Sequence, residues 1–96
     1  MNLTKEQSEA LEEMAYLLIP TNLIAINLEI DEIDFKLEMR DPESPVYKAF
    51  YKGIIRQKME LHQSIVQASK NGSNPAQEQI IKMLEAITGQ LRYGIR

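Results

Sequence analysis

The feature that most limits what this chain can fold into is the stretch "PVYKAFYKGIIRQKMELHQSIVQASK", Pro45 to Lys70. Between Pro45 and the pair Asn71-Gly72 it holds no helix breaker except Gly53. Ser44 supplies a side-chain cap, and Pro45 takes the first helical position, where its missing N–H is no loss. The pattern predicts one helix of roughly 25 residues, about 37 Å long at 1.5 Å per residue. Its apolar positions are Tyr47, Ala49, Phe50, Ile54, Met59, Leu61, Ile65, Val66 and Ala68. Gly53 costs about 1 kcal/mol relative to alanine, so either another backbone passes close to it or the helix bends there. Asn71-Gly72 is a left-handed stop. Asn74 and Pro75 repeat the cap-then-proline start, and "AQEQIIKMLEAI" predicts a last helix ending before Gly89, with Ile80, Ile81, Met83, Leu84 and Ile87 as its inner side. A turn this short folds the two helices into an antiparallel hairpin.

Ahead of the hairpin the chain reads as three shorter helices. Thr4 caps the first, and Gln7 three residues on completes a capping box. "KEQSEALEEMAYLL" consists of strong helix formers, with Leu11, Met14, Ala15 and Leu18 on one face, and Pro20 stops it. Thr21 or Asn22 caps a second helix whose inward positions are Ile24, Ala25 and Leu28. The bend from Leu28 to Ile30 contains no glycine. Asp31 caps a third helix, "EIDFKLEMR", with Ile33, Phe35, Leu37 and Met39 as apolar contacts. Those four alternate with charged residues, so a strand competes by periodicity alone. Helix is preferred because the segment is rich in Glu, Lys, Leu and Met and has only Ile33 as a β-branched residue. "DPESP" is a loop, and the tail "QLRYGIR" shows no period and reads as an arm. The expected fold class is therefore all-α: an N-terminal three-helix, helix-turn-helix unit over residues 1–43, a helical hairpin over 44–88 and an arm over 89–96.

Bulk properties narrow the function classes. At 96 residues the chain makes one small domain, or one with an arm, and association would help so thin a core. Without cysteine there are no disulfides and no thiolate metal sites. The lone His62 has no second histidine or carboxylate cluster suggested beside it, so no metal and no cofactor are expected. No signal peptide or membrane-spanning run is visible; the longest apolar run is "YLLIP". No serine or threonine has a histidine and carboxylate suggested nearby, and no glycine-rich loop follows a strand. The expectation is a chain with no catalytic residues, not an enzyme.

Charge is split along the sequence. Through Glu43 there are eleven Asp or Glu against three Lys or Arg; from Ser44 onward there are eight Lys or Arg against three Glu. Either the two parts attract within one monomer, or the acidic face of one subunit meets the basic face of the next. Lys48, Lys52 and Arg56 lie at i, i+4 and i+8, a basic stripe with Tyr51 beside it and Lys58 nearby. Such a row could hold phosphates through salt-sensitive counterion release, or could be a solvated face or a partner for the acids of the first three helices. On the third helix Lys36 and Arg40 stand among Asp31, Glu32, Asp34 and Glu38. Carboxylates are repelled by phosphate oxygens, so this helix is a poor solitary reader of a DNA groove.

In order along the chain stand "NLIAINLEIDEIDFKLEM", then "SPVYKAFYKG", then "MELHQSIVQASKNGSNPAQEQIIKMLE". This order, from Ala10 to Ala86, resembles the small subunits of phage DNA-packaging terminases and related phage-type helix-turn-helix proteins. Its tokens are Ala25, the "SP" before the long helix, Tyr51–Gly53, and Ala68 to Gly72 followed by "PAQ". Two departures stand out: Glu29 occupies the bend where the motif often has glycine, and the reading helix is acidic where the family is usually basic or neutral.

The resemblance implies a protein that recognises double-stranded viral DNA at a packaging site and regulates the large motor and nuclease subunit, in the cytoplasm of a bacterial host. It also implies self-association into a homo-oligomer through the hairpin. Lys36, Arg40, Lys48, Lys52 and Arg56 are the expected DNA contacts, weak per subunit and multiplied by assembly. Phe50, Ile54, Leu61, Ile65, Ile80 and Leu84 are the expected association residues. Two other readings compete: a dimeric helix-turn-helix transcriptional regulator with the hairpin as its dimer interface, and a protein-interaction module that does not bind DNA, whose acidic third helix binds a basic partner or mimics the charge of DNA.

Overall fold

The structure, a computed structural model, describes residues 1–89. Those residues form an all-α chain of five helices: α1 Lys5–Tyr16, α2 Thr21–Asn27, α3 Glu32–Glu38, α4 Pro45–Lys70 and α5 Asn74–Gly89. The predicted arm lies outside the described residues apart from Gly89, which closes α5. Two compact units emerge, Met1–Lys58 and Met59–Arg96, dividing inside α4 rather than in the loop before it. The reason is burial: Val46, Ala49 and Gly53 of α4 are enclosed, and Val46 and Ala49 form one hydrophobic cluster with Leu11, Ile24, Ala25, Leu28 and Phe35. The start of the long helix is thus core material for the three short ones.

Side-chain caps set several of the helix starts. Thr4 and Gln7 form the predicted box, with the Gln7 N–H donating to Thr4 Oγ1 at 3.1 Å and the Thr4 N–H to Gln7 Oε1 at 2.9 Å. Asp31 Oδ1 accepts from the N–H groups of Ile33 and Asp34 at 2.9 and 3.2 Å, and Ser44 Oγ accepts from Val46 N–H at 3.1 Å. Two expected caps sit elsewhere. α2 begins after Pro20 with no side-chain cap, so neither Thr21 nor Asn22 has that role. At α5 it is Ser73, not Asn74, whose hydroxyl accepts a helix N–H, from Ala76 at 3.3 Å.

Three of the helix ends, those of α1, α2 and α4, follow one repeated device. After α1, Leu18 N–H donates to Ala15 O and Ile19 N–H to Met14 O, both at 3.0 Å. After α2, Glu29 N–H reaches Ile26 O at 3.1 Å and Ile30 N–H reaches Ala25 O at 2.9 Å. After α4, Gly72 N–H reaches Ser69 O at 3.1 Å and Ser73 N–H reaches Ala68 O at 3.0 Å. Each is the paired 5→2 and 6→1 bond of a Schellman stop, which needs a left-handed residue between. Those residues are Leu18 at φ 62°, Glu29 at φ 57° and Gly72 at φ 93°; only the last is glycine. At the first two, the residue that follows, Ile19 or Ile30, packs against the core, and that burial holds the chain in the disfavoured conformation. α1 consequently ends at Tyr16, ahead of Pro20, and Leu18 is exposed instead of facing the core.

Gly53 meets the first of its two sequence alternatives. A Cβ there would overlap the Glu12 carbonyl oxygen and lie 2.8 Å from both Ala15 Cβ and Tyr16 N. α1 and α4 therefore cross backbone to backbone at this point. Gln57 Nε2 donates to the Tyr16 carbonyl at 2.8 Å beside the crossing.

In the second unit the C-terminal part of α4 and α5 form the helical hairpin around the Asn71–Ser73 turn, where Gln77 Nε2 donates to Ser69 O at 3.1 Å. Half-buried residues fall at Ile65 and Ala68 on α4 and at Ala76, Ile80 and Met83 on α5, spacings that make one stripe on each helix. None of the described residues from Met59 onward is fully buried.

Candidate functional site

The third helix differs most from what its sequence suggests. A helical turn of 100° per residue separates the four alternating apolar residues into two pairs. Phe35 is buried and Met39 half-buried, on the core side. Ile33 and Leu37 point outward, 69% and 56% exposed, and are not core contacts as expected. The acids are also redistributed. Asp31 caps the helix, Glu38 turns inward to the Met1 amine at 2.9 Å, and Glu32 pairs with Lys36 at 3.3 Å along the helix. Leu23 and Ile26 of α2 are likewise exposed. The solvent side of α2 and α3 is thus more aliphatic, and less acidic, than a residue count of α3 implies.

The five predicted DNA-contacting cations, Lys48, Lys52 and Arg56 on α4 and Lys36 and Arg40 on and just after α3, differ in their surroundings. Arg56 faces α1: its Nη1 lies 3.0 Å from Glu12 Oε2 and 3.4 Å from Glu13 Oε2, and its guanidinium sits 4.3 Å from the centre of the Tyr16 ring. Partial desolvation pulls its pKa down, but hydrogen bonds and charge from Glu12 and Glu13 outweigh this and hold it above the ordinary arginine value. Arg56 stays a cation throughout the working pH range. Lys48 sits 3.5 Å from Glu43, with both side chains mostly in solvent. Lys52 and Arg40 are exposed and make no ion pair within 4.0 Å among the described residues. Lys36 and Arg40 line a groove with Thr21, Phe35, Met39, Phe50 and Tyr51.

Of the predicted association residues, Phe50 packs against the core of the first unit and Ile54 is half-buried there. Ile65 and Ile80 belong to the half-buried stripes of the hairpin. Leu61 and Leu84 are open, 54% and 59% exposed. Leu61 continues the stripe of Ile65 and Ala68, and Ile87 that of Ile80 and Met83, yet both remain uncovered. Ile81 and Leu84 widen the apolar arc on α5.

No group of three or more histidine, cysteine, aspartate or glutamate side chains suited to a metal ion occurs among the described residues. No helix among them is long and apolar enough to cross a membrane. Comparison with family models, with curated proteins and with solved structures returns no match.

Proposed function

We infer that the chain is a small self-assembling, DNA-associated protein of the kind represented by phage terminase small subunits. In this reading α2 and α3 act as a helix-turn-helix, and the hairpin joins copies into a homo-oligomer. The assembled cations hold double-stranded DNA for a larger motor subunit. One observation supports it most: a two-helix unit that encloses no side chain among its described residues while leaving Leu61, Ile81, Leu84 and Ile87 open. Isolated helix pairs of this size gain too little burial to order themselves, and a second hairpin laid on the same side chains supplies what is missing. A second copy is the fitting occupant because both helices expose aliphatic side chains along their length, as the halves of a self-complementary helix bundle do.

DNA contact rests on Lys48 and Lys52, exposed cations on one face of α4, the first only loosely held by Glu43. One subunit offers few such charges, and an assembly multiplies them. The experiment is fluorescence anisotropy on duplex DNA over a salt series, with wild type and the K48A/K52A variant at matched thermal stability. Salt-dependent binding that weakens and flattens in the variant is the expected result. Equal absence of binding for both would remove the DNA half of the reading. The exposed Ile33 and Leu37 favour a second reading, a protein-interaction module in which this surface meets another protein.

A further inference from the structure

Within the first unit, α2, α3 and α4 enclose a surface groove of about 350 Å³. Its lining is sharply divided. Phe35, Met39 and Phe50 are buried or half-buried and give it an apolar floor. Tyr51 is 40% exposed, with its ring 5.2 Å from Phe50 edge-on and 4.5 Å from Tyr47, so it forms a wall braced by two other aromatics. Lys36 and Arg40, both exposed, supply the charge, and Thr21 the remaining polar group. No acid lines it, although eleven of the chain's fourteen acids precede Ser44. Of the acids near it in sequence, Asp31 caps α3, Asp34 lines a different hollow beside Leu28 and Ile30, Glu38 meets the Met1 amine, Asp41 accepts from the Glu43 N–H and Glu43 pairs with Lys48; Glu32 alone reaches a groove cation, Lys36.

The geometry points to this groove as a docking site for an acidic peptide segment of a partner protein. One apolar side chain of the segment seats over Phe35, Met39 and Phe50, while carboxylates before or after it meet Lys36 and Arg40. The charge at the groove selects an anion; arginine offers a carboxylate a two-point contact. The surface pair Lys36–Glu32, a helix i,i+4 contact in solvent, exchanges readily for an incoming carboxylate. The apolar floor selects against a nucleic acid, whose phosphates would gain nothing from Met39 and Phe50 and whose bases would find Tyr51 already flanked by Tyr47 and Phe50. A buried apolar anchor with a charged rim is the usual energetic plan of a peptide groove. This site is independent of self-assembly by the hairpin.

The test is fluorescence anisotropy of the full chain with a set of labelled synthetic acidic peptides about twelve residues long, each with one central Leu, Phe or Trp. Controls carry Ser at the centre, or Gln and Asn in place of the acids, and a duplex DNA probe runs in parallel. Saturable binding is expected for at least one anchored acidic peptide, weakened about tenfold or more by K36E/R40E and by the Ser control. Thr21→Trp, which narrows the groove from an exposed position, should weaken binding without touching either cation, while thermal melts show both variants folded. The proposal is overturned if no anchored peptide binds, or if binding ignores the charge reversal or the anchor. It is equally overturned if only DNA binding responds to K36E/R40E, which would assign the cations to nucleic acid. Loss of self-association in that variant, with no peptide bound, would instead seat the acidic surface of a second copy there.

Discussion

Glu29 shows how a single residue can be read correctly and still conceal its consequence. The sequence places it in a bend that in helix-turn-helix proteins often has glycine, and the structure puts it at φ 57°. A non-glycine residue in the left-handed region costs about 1 kcal/mol or more. Glu29→Gly should therefore stabilise the chain by about 1 kcal/mol, less some of glycine's extra chain entropy, read as a rise of a few degrees in melting temperature. Gly53 gives the opposite case. Gly53→Ala pushes a methyl group into the Glu12 carbonyl at the α1–α4 crossing. A loss of about 2 kcal/mol or more in urea unfolding is expected, at the upper end of the usual cost of overpacking. An unchanged unfolding midpoint would show that the two helices are further apart. That some backbone passed close to Gly53 could be anticipated from a glycine inside a long helix; that it belonged to α1 could not, because nothing local to Gly53 names its neighbour.

At the scale of the element, α3 decides how far pattern alone can go. Alternation of Ile33, Phe35, Leu37 and Met39 would suit a strand with all four on one face, whereas a helix divides them two and two. The capping aspartate and the helix-forming composition point to the right element, but which pair faces inward depends on what α4 and α2 bring against it. Phe35→Ala should cost about 3–5 kcal/mol, whereas Ile33→Ser and Leu37→Ser should each change stability by no more than about 0.5 kcal/mol. Equal losses at Phe35 and Ile33 would rule out the helical phase described above. The acids were harder to place. Their number is plain in the sequence, but the inward turn of Glu38 toward Met1 and the capping role of Asp31 depend on three-dimensional neighbours. A helix that reads as acidic consequently offers solvent Ile33 and Leu37 as well as Glu32 and Asp34, with Lys36 and Arg40 beside them.

For the whole molecule, the charge split looks different once the compact units are known. The first unit, Met1–Lys58, holds all eleven of the early acids together with seven of the eleven bases, so much of the asymmetry lies inside it. Arg56 with Glu12 and Glu13, and Lys48 with Glu43, are the contacts that join the two sides. Removing Arg56 should lower thermal stability at low salt and matter less as salt is raised, since these pairs are partly exposed and screened. A loss that does not depend on salt would assign its effect to stacking on Tyr16 instead. The hairpin was legible from the Asn71-Gly72 stop and the proline starts at Pro45 and Pro75, although the α5 cap fell one residue earlier than expected. The lack of any enclosed side chain among the hairpin's described residues was not, because an apolar arc in a sequence does not reveal whether the same chain covers it. That uncovered arc is the basis for assembly, and Ile81→Asp combined with Leu84→Asp should abolish association while leaving the first unit folded. The most direct measurement is the light-scattering mass of the wild-type chain at low and moderate salt. A mass that is a multiple of 11.1 kDa, falling to that of one chain in the double aspartate variant, is the result predicted. A wild-type mass of one chain under every condition would contradict it.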